Sequence, residues 1–288
     1  MSDPATLLLQ AASLARLLAP QCCRTEPATG ENCAWTHGLW PLLRLLGIVG
    51  SIEYRGEFFA RAFSRIEVDA PRILLSGAAD YATLAFVLDV LRPRGVQPQI
   101  TLVDICETPL ALNRWYAEQV GAVIETARCD ILNFAPAKPF DLICTDAFIG
   151  RFPVARRAAL LTQWHALLRP GGIAITYNRL RPSAGDTAVG FSNAQADSFV
   201  QTVTAAAQPW LSAIGSDAPS IERSARDYAR RHMTYPLRSA EEIRSLFENA
   251  GFAIELLETS GAASATAAVS GPSTRDGGSY AGLMARRA

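Results

Sequence analysis

The sequence predicts an α/β chain: an open sheet of seven strands, mostly parallel, with a helical cap at the N-terminus. Three observations predict it. From Pro71 onward, short apolar runs bounded by turns alternate with helical stretches, as in strand–helix units joined by right-handed crossovers. Residues 1–70 lack that alternation and read as helices. Small or acidic residues stand at the ends of the strand-like runs, where open parallel sheets bind their ligands.

The cap comes first. In TLLLQAASLARLLA, from Thr6, the polar residues Gln10, Ser13 and Arg16 recur every three residues and mark an amphipathic helix. Asp3 is placed to cap it, Pro4 lies in its first turn, and Pro20 is expected to stop it. The residues before it carry Asp3 and no Lys or Arg, so it is not expected to be a secretory signal. WPLLRLLGIVG, from Trp40, follows a loop. In EYRGEFFARAFSRI, from Glu53, the residues Tyr54, Phe58, Phe59, Ala62, Phe63 and Ile66 recur at helical spacing. The expected domains are a cap over 1–70 and a sheet domain over 71–288 with a lid insertion at about 179–236.

The sheet domain reads in order. The strand RILLS, from Arg72, leads through GAADY into the helix ATLAFVLDVL, from Ala82. QITLVD ends at Asp104 and precedes a helix around PLALNRWYAEQVG, from Pro109. AVIETA, from Ala122, runs into CDILNF. FDLICTD ends at Asp146 and precedes a helix from about Val154 to Leu168. GIAITYN, from Gly172, is the fifth strand. The insertion holds a helix from Asp197 and another near ERSARDYARR, from Glu222. In SAEEIRSLFENAGF, Ser239 and Glu242 form a capping box and Gly251 ends the helix. IELLE, from Ile254, and YAGLMAR, from Tyr280, are the last strands, with a Ser/Ala/Gly-rich stretch between them expected to be a mobile loop.

Composition narrows the function. The 288 residues are 49% hydrophobic and 19% charged, with zero formal net charge. There is no basic patch for nucleic acid and no run apolar enough to span a membrane. Of six cysteines, Cys106, Cys129 and Cys144 lie in or beside apolar runs, where cysteine packs as a small hydrophobe. Free thiols and a cytoplasmic location are therefore expected. Cys22, Cys23, Cys33 and His37 form a conceivable zinc set, but adjacent cysteines are poor tetrahedral partners and no C-x-x-C pair occurs, so no metal is expected.

The strand-end residues carry the chemistry. They are Ser76 to Tyr81, Asp104 to Glu107, Asp130, Thr145 to Phe148, and Tyr177 to Asn178. A carboxylate at Asp104 can accept two hydrogen bonds from a ribose, Asp130 can accept one from an adenine amino group, and Asp146 faces the transferred group. Each also reads as a helix cap or turn residue. NAD fits less well, since Ala78, Ala79 and Tyr81 leave little room for a diphosphate.

Taken in order, these segments resemble the class I S-adenosylmethionine-dependent methyltransferases. RILLSGAADY looks like the glycine-rich first motif, VDICETPLAL like the acidic second-strand motif, RCDILNF like the adenine-side motif, and FDLICTDAF like the fourth-strand motif. LLRPGGIAIT, from Leu167, is the most specific match, and SAEEIRSLFENAGF resembles the helix before the last antiparallel hairpin. The resemblance covers roughly residues 70–288. It implies a Rossmann-like seven-stranded sheet with an antiparallel last strand, and S-adenosyl-L-methionine as cofactor. The cofactor residues it implies are Gly77, Ala78, Ala79, Asp80, Tyr81, Asp104, Ile105, Asp130, Ile131, Thr145 and Phe148. The first motif departs from the family's pattern: only Gly77 remains of its glycines, and an acid is missing near Leu75. Asp80 is expected to hold the ligand's ammonium in its place, with Tyr81 leaning over the ligand.

The implied activity is O- or N-methylation of a small molecule, with a possible homodimer and no nucleic-acid or membrane partner. The alternatives are cofactor cyclisation or cleavage without methylation, and binding without turnover. Of three histidines, His165 reads as structural, while His37 and His232 are candidate bases beside Asp146. Trp35, Trp40, Tyr54, Tyr228 and Tyr235 are candidate acceptor contacts. Arg226, Arg230 and Arg231 suit a carboxylate or, more simply, a solvated helix face.

Overall fold

The structure is a computed structural model that describes residues 3–25, 30, 32–182, 185–260 and 279–288. The Ser/Ala/Gly-rich stretch expected to be a loop lies outside the described residues. Before the sheet come α1 (Pro4–Cys22), α2 (Ala34–His37), α3 (Trp40–Leu45) and α4 (Gly56–Ser64), with a 3-10 turn at Ile52–Arg55. The Asp3 side chain caps α1 by accepting from the Thr6 amide at 3.1 Å. Pro20 does not stop this helix, which runs on to Cys22. A proline so near the C-terminus forfeits one hydrogen bond, and the Cys23 amide still reaches Ala19 at 3.1 Å.

The sheet has seven strands in the order β3-β2-β1-β4-β5-β7-β6. They are β1 (Arg72–Ser76), β2 (Gln99–Asp104), β3 (Ile124–Arg128), β4 (Phe140–Asp146), β5 (Leu168–Leu180), β6 (Phe252–Ser260) and β7 (Ser279–Arg287). The first five pair in parallel. β7 runs antiparallel to both β5 and β6. Chain order reverses between β1 and β4, which is where such sheets open a crevice. Helices α5 (Ala82–Leu91), α6 (Glu107–Gln119) and α7 (Val154–Leu167) make the crossovers.

Between β5 and β6 lie α8 (Asn193–Ala207), α9 (Ala218–Arg231) and α10 (Ala240–Asn249). α8 begins four residues before the expected Asp197, because Ser192 and Gln195 form a reciprocal capping box. Ser239 caps α10 through the Glu242 amide at 3.1 Å. The Glu242 carboxylate turns to the Arg238 amide at 2.8 Å rather than closing the box on Ser239.

The N-terminal helices do not stand apart. Leu7, Phe58, Phe59 and Phe63 share one buried cluster with β-strand residues Ile73, Leu75, Tyr177 and Met284. Gly282 allows α4 this close, since a Cβ there would stand 2.6 Å from the Phe58 ring. A second cluster joins Leu39, Leu42 and Leu43 to Phe199, Val200 and Val203 of α8 and Tyr228 of α9. Thus α3 packs on the insertion while α4 packs on the sheet. No described helix is long and apolar enough to cross a membrane.

Candidate active site

A cavity of about 560 Å³ opens at the C-terminal ends of β1, β2 and β4. Its size falls within the range of small-molecule sites. The first loop lines it with Ser76, Gly77, Ala78, Ala79 and Asp80, and the second strand with Asp104 and Ile105. Asp130, Ile131, Asp146 and Phe148 add to the same wall. Trp35, His37 and Trp40 from the N-terminal segment, and His232 and Thr234 from beyond α9, complete it.

Gly77 is retained for a local reason. It sits at φ +68°, and a Cβ there would fall 2.0 Å from the Phe148 ring. Ala78 and Ala79 need no such freedom. The only described non-glycine residue at positive φ is Ala147, at 54°, on the turn that carries Asp146 into the cavity wall; backbone strain of this kind concentrates at functional sites.

Several expected contacts are placed differently. Tyr81 is absent from the cavity lining and stacks on Tyr116 at 4.4 Å between ring centroids; at the start of α5 its side chain turns toward α6 and the core. Asp80 lines the cavity, yet its carboxylate is already held. One oxygen takes the Ala82 amide at 2.8 Å, the other the buried Arg44 guanidinium at 2.7 Å. Thr145 is buried and bonds the Thr176 hydroxyl at 2.9 Å. Tyr54 is half exposed, and neither it nor Tyr235 lines the cavity. Tyr228 is fully buried behind the wall. Arg226 pairs with Glu222 and Arg230 with Asp227 on the exposed face of α9. His165 packs its ring against Phe252, as a structural residue would.

Three strand-end carboxylates differ in their surroundings. Asp104 accepts the Cys106 amide through Oδ1 at 2.8 Å. Burial raises its pKa to about 6, opposed by the charge of His37 and by that amide. Asp130 caps the turn Ile131–Asn133 through the Leu132 amide at 3.0 Å, so the turn-residue reading and the lining position hold together. Asp146 pairs with Arg55 at 2.8 Å. Burial pushes its pKa up while Arg55 pulls it down. Arg44 and Arg55 thus reach from the N-terminal segment to two strand-end acids. Neither arginine was anticipated, although an arginine inside the apolar run WPLLRLLGIVG is itself a signal that a buried acid waits for it.

The two candidate bases part company. His37 faces sulfur: its Nδ1 lies 3.5 Å from Cys23 Sγ. Burial lowers its pKa, but hydrogen bonds that the ring donates to Cys106 and Cys33, with the nearby negative charge, outweigh that and raise it to about 10. A ring engaged with sulfur in this way is not presented to an acceptor as a free base. His232 is the opposite case. It is 5% exposed, stacked on Tyr228 at 4.8 Å and edged by Trp35 at 6.2 Å. Burial, then the charge of Arg151, hold its pKa well below 6.5. Both ring nitrogens are buried without a hydrogen-bond partner among the described residues. Ser76 Oγ and Asp146 Oδ1 share that condition, and all three residues line the cavity. Native structures satisfy nearly all buried polar atoms, so four orphan atoms on three residues around one cavity mark it as built for a polar ligand.

Residues 54–257, more than half of the chain, match the methyltransferase-domain family. The chain belongs to the class I S-adenosylmethionine-dependent methyltransferases. Among solved structures, this methyltransferase is similar to a Burkholderia thailandensis 1,6-didemethyltoxoflavin-N1-methyltransferase with bound 1,6-didemethyltoxoflavin and S-adenosylhomocysteine. The two are 15% identical with a TM-score of 0.51 over 82% of this chain and 77% of that one. It is equally similar in fold to the [4+2]-cyclase SpnF, at 15% identity and a TM-score of 0.53 over 86% and 92% of the two chains. Likeness at this level shows the fold. No curated protein sequence matches significantly.

Proposed function

We propose that this methyltransferase modifies an oxygen or nitrogen of a small, largely flat acceptor, with S-adenosylmethionine held along β1, β2 and the Asp130 turn, and His232 receiving the acceptor's proton. One observation carries the reading: a single cavity is lined both by the strand-end acids and by the neutral, unpartnered imidazole of His232 in its aromatic surround.

The residues present fit the cofactor. The positive-φ turn at Gly77 keeps side-chain bulk away from the loop. Asp104 keeps one carboxylate oxygen beyond the Cys106 amide for a ribose hydroxyl. Ile105, exposed, and Ile131, buried, both line the cavity and offer apolar surface suited to a base. The orphan oxygen of Asp146 suits an ammonium donor, a role its position supports better than Asp80, whose oxygens are taken. When bound, the sulfonium supplies an electrophilic methyl group. The chain's own part is to orient the acceptor, which alone can be worth roughly 7–11 kcal/mol at the upper end, and to take up a proton. Trp35 and Trp40 offer flat apolar walls, and Arg151 and Arg156 at the rim suit an acceptor bearing negative charge.

The test is product analysis with S-adenosylmethionine and candidate acceptors. S-adenosylhomocysteine formed in step with acceptor supports the proposal; methylthioadenosine, or unchanged cofactor with a converted acceptor, sinks it in favour of non-methylating chemistry. Calorimetry on Asp104→Ala should show cofactor binding weakened by about 1–3 kcal/mol, the cost of an unpaired buried hydroxyl. An unchanged affinity removes Asp104 from the site.

A further inference from the structure

Beside the cavity wall the fold gathers four side chains that lie far apart in sequence. The Sγ atoms of Cys23, Cys33 and Cys106 and an imidazole nitrogen of His37 all lie within 4.8 Å of one another. Cys33 and Cys106 are 3.5 Å apart at sulfur, and Cys23 Sγ stands 3.5 Å from His37 Nδ1. A tetrahedral zinc ion with Zn–S near 2.3 Å and Zn–N near 2.0–2.1 Å requires sulfur–sulfur edges of roughly 3.8 Å and sulfur–nitrogen edges of roughly 3.6 Å. The separations straddle those values, so closing the set around an ion needs shifts of a fraction of an ångström to about one ångström.

The backbone explains why the set is regular. Cys23 is the C-cap of α1, and Cys33 and His37 bracket α2 as its N-cap and last residue. Positions four apart share one helix face, so α2 presents a thiol and an imidazole together. Cys106 is the N-cap of α6 and is fully buried. The Thr108 hydroxyl lies 3.2 Å from Cys23 Sγ, in the position of an outer-sphere partner that orients a thiolate ligand.

We propose that Cys23, Cys33, His37 and Cys106 form a Cys₃His site for a thiophilic divalent cation of the zinc class, one ion per chain. Four protein ligands leave no open coordination position, so the site is structural. It clamps three ligands of the N-terminal segment to the residue two past Asp104, and so fixes the helices that roof the cavity to the strand that carries the candidate ribose ligand. The sequence shows three of these four residues together, Cys23, Cys33 and His37, but sets Cys22 beside them, which is not a member, while Cys106 joins from 73 residues beyond Cys33.

The experiment uses the full-length protein, reduced and stripped by chelator, titrated with cobalt(II) chloride and then zinc chloride. The expected result is a one-to-one endpoint, intense tetrahedral d–d bands with a thiolate-to-cobalt charge-transfer band, and their loss when zinc displaces cobalt. Cys106→Ser and His37→Gln should weaken binding by more than the roughly 10–100-fold that loss of an outer-sphere partner costs, while Cys22→Ser should leave it unchanged. A reduced wild-type protein that shows no tetrahedral thiolate spectrum overturns the proposal whatever the variants do. So does a Cys33–Cys106 disulfide found by peptide mapping together with failure of the reduced protein to bind cobalt. Equal loss in Cys22→Ser and Cys106→Ser overturns the ligand assignment.

Discussion

At the scale of single residues, the cavity depends on side chains whose ordinary behaviour has been altered by burial. His232 is the clearest case. Its folded pKa lies well below 6.5, so between that value and about 6.5 the unfolded chain holds a proton that the folded chain refuses. Stability is then fully present above about 6.5 and falls as pH drops through it, by up to about 1.4 kcal/mol per pH unit for one proton. Tyr228, Trp35 and Phe191 face the ring and Arg151 supplies the nearby charge. Urea midpoints at pH 7.5 and 5.5 should differ more in the wild type than in His232→Asn; equal slopes would show that this imidazole titrates normally. As a proton acceptor, His232 is expected to contribute about 10²–10⁴-fold to turnover, read as a loss of kcat in His232→Asn with cofactor affinity kept. Gly77 supplies a second test. Gly77→Ala places a left-handed residue at a cost of about 1–2 kcal/mol and drives a Cβ into Phe148. Adding Phe148→Ala should recover the steric part but not the backbone part, so the double variant should show positive coupling in unfolding experiments; strict additivity would mean the two do not touch.

At the scale of elements, the segment after α9 is held in place by one buried cation. Arg157 of α7 is fully buried, donates to Glu242 at 2.7 Å, and donates to the backbone carbonyls of Tyr235 at 2.6 Å and Pro236 at 3.2 Å. It ties α7 to α10 and to the chain that brings His232 and Thr234 to the cavity. Arg157→Ala leaves the Tyr235 and Pro236 carbonyls without their partner and takes one of two cationic partners from the part-buried Glu242, which keeps Arg238; it should cost about 1–3 kcal/mol. The exposed Arg226, whose pairs are solvated, should cost less than about 0.5 kcal/mol when replaced by alanine. Chemical denaturation of the two variants decides this; comparable losses would contradict the burial argument. The same contrast separates Arg226 and Arg230, conspicuous in sequence but paired on an exposed helix face, from Arg157, which lies in the unremarkable run VARRAALL and anchors the chain after α9.

At the scale of the whole molecule, we propose that the N-terminal helices unfold with the sheet rather than as a separate unit. Phe58, Phe59 and Phe63 share their cluster with β1, β5 and β7 residues, and α3 shares another with α8 and α9. Phe59→Ala should therefore lower the stability of the entire chain by about 3–5 kcal/mol. Tryptophan fluorescence, sensitive to Trp35 and Trp40 in the cap and to Trp164 beneath the sheet, should change in step with far-ultraviolet circular dichroism. Two separated transitions would show a cap that folds alone.

The sequence by itself determined the succession of strands and helices along the chain, the parallel strand–helix units, and the row of strand-end positions at Gly77, Asp104, Asp130 and Asp146, while the antiparallel return followed from the family resemblance. These are local properties: hydrophobic period, turn residues and caps are written over spans of ten residues or fewer. The family could be read for the same reason, since LLRPGGIAIT and VDICETPLAL are local motifs. Only the tertiary structure decided what each side chain meets. Asp80 is held by an arginine 36 positions earlier in the chain, Tyr81 turns inward onto Tyr116, and Cys106 joins Cys23, Cys33 and His37. A one-dimensional pattern tells which face of an element is apolar; it does not tell which distant element packs there. Partnering across the fold is what separates a free carboxylate from a neutralised one, and an unpartnered imidazole in the cavity wall from one enclosed by thiols.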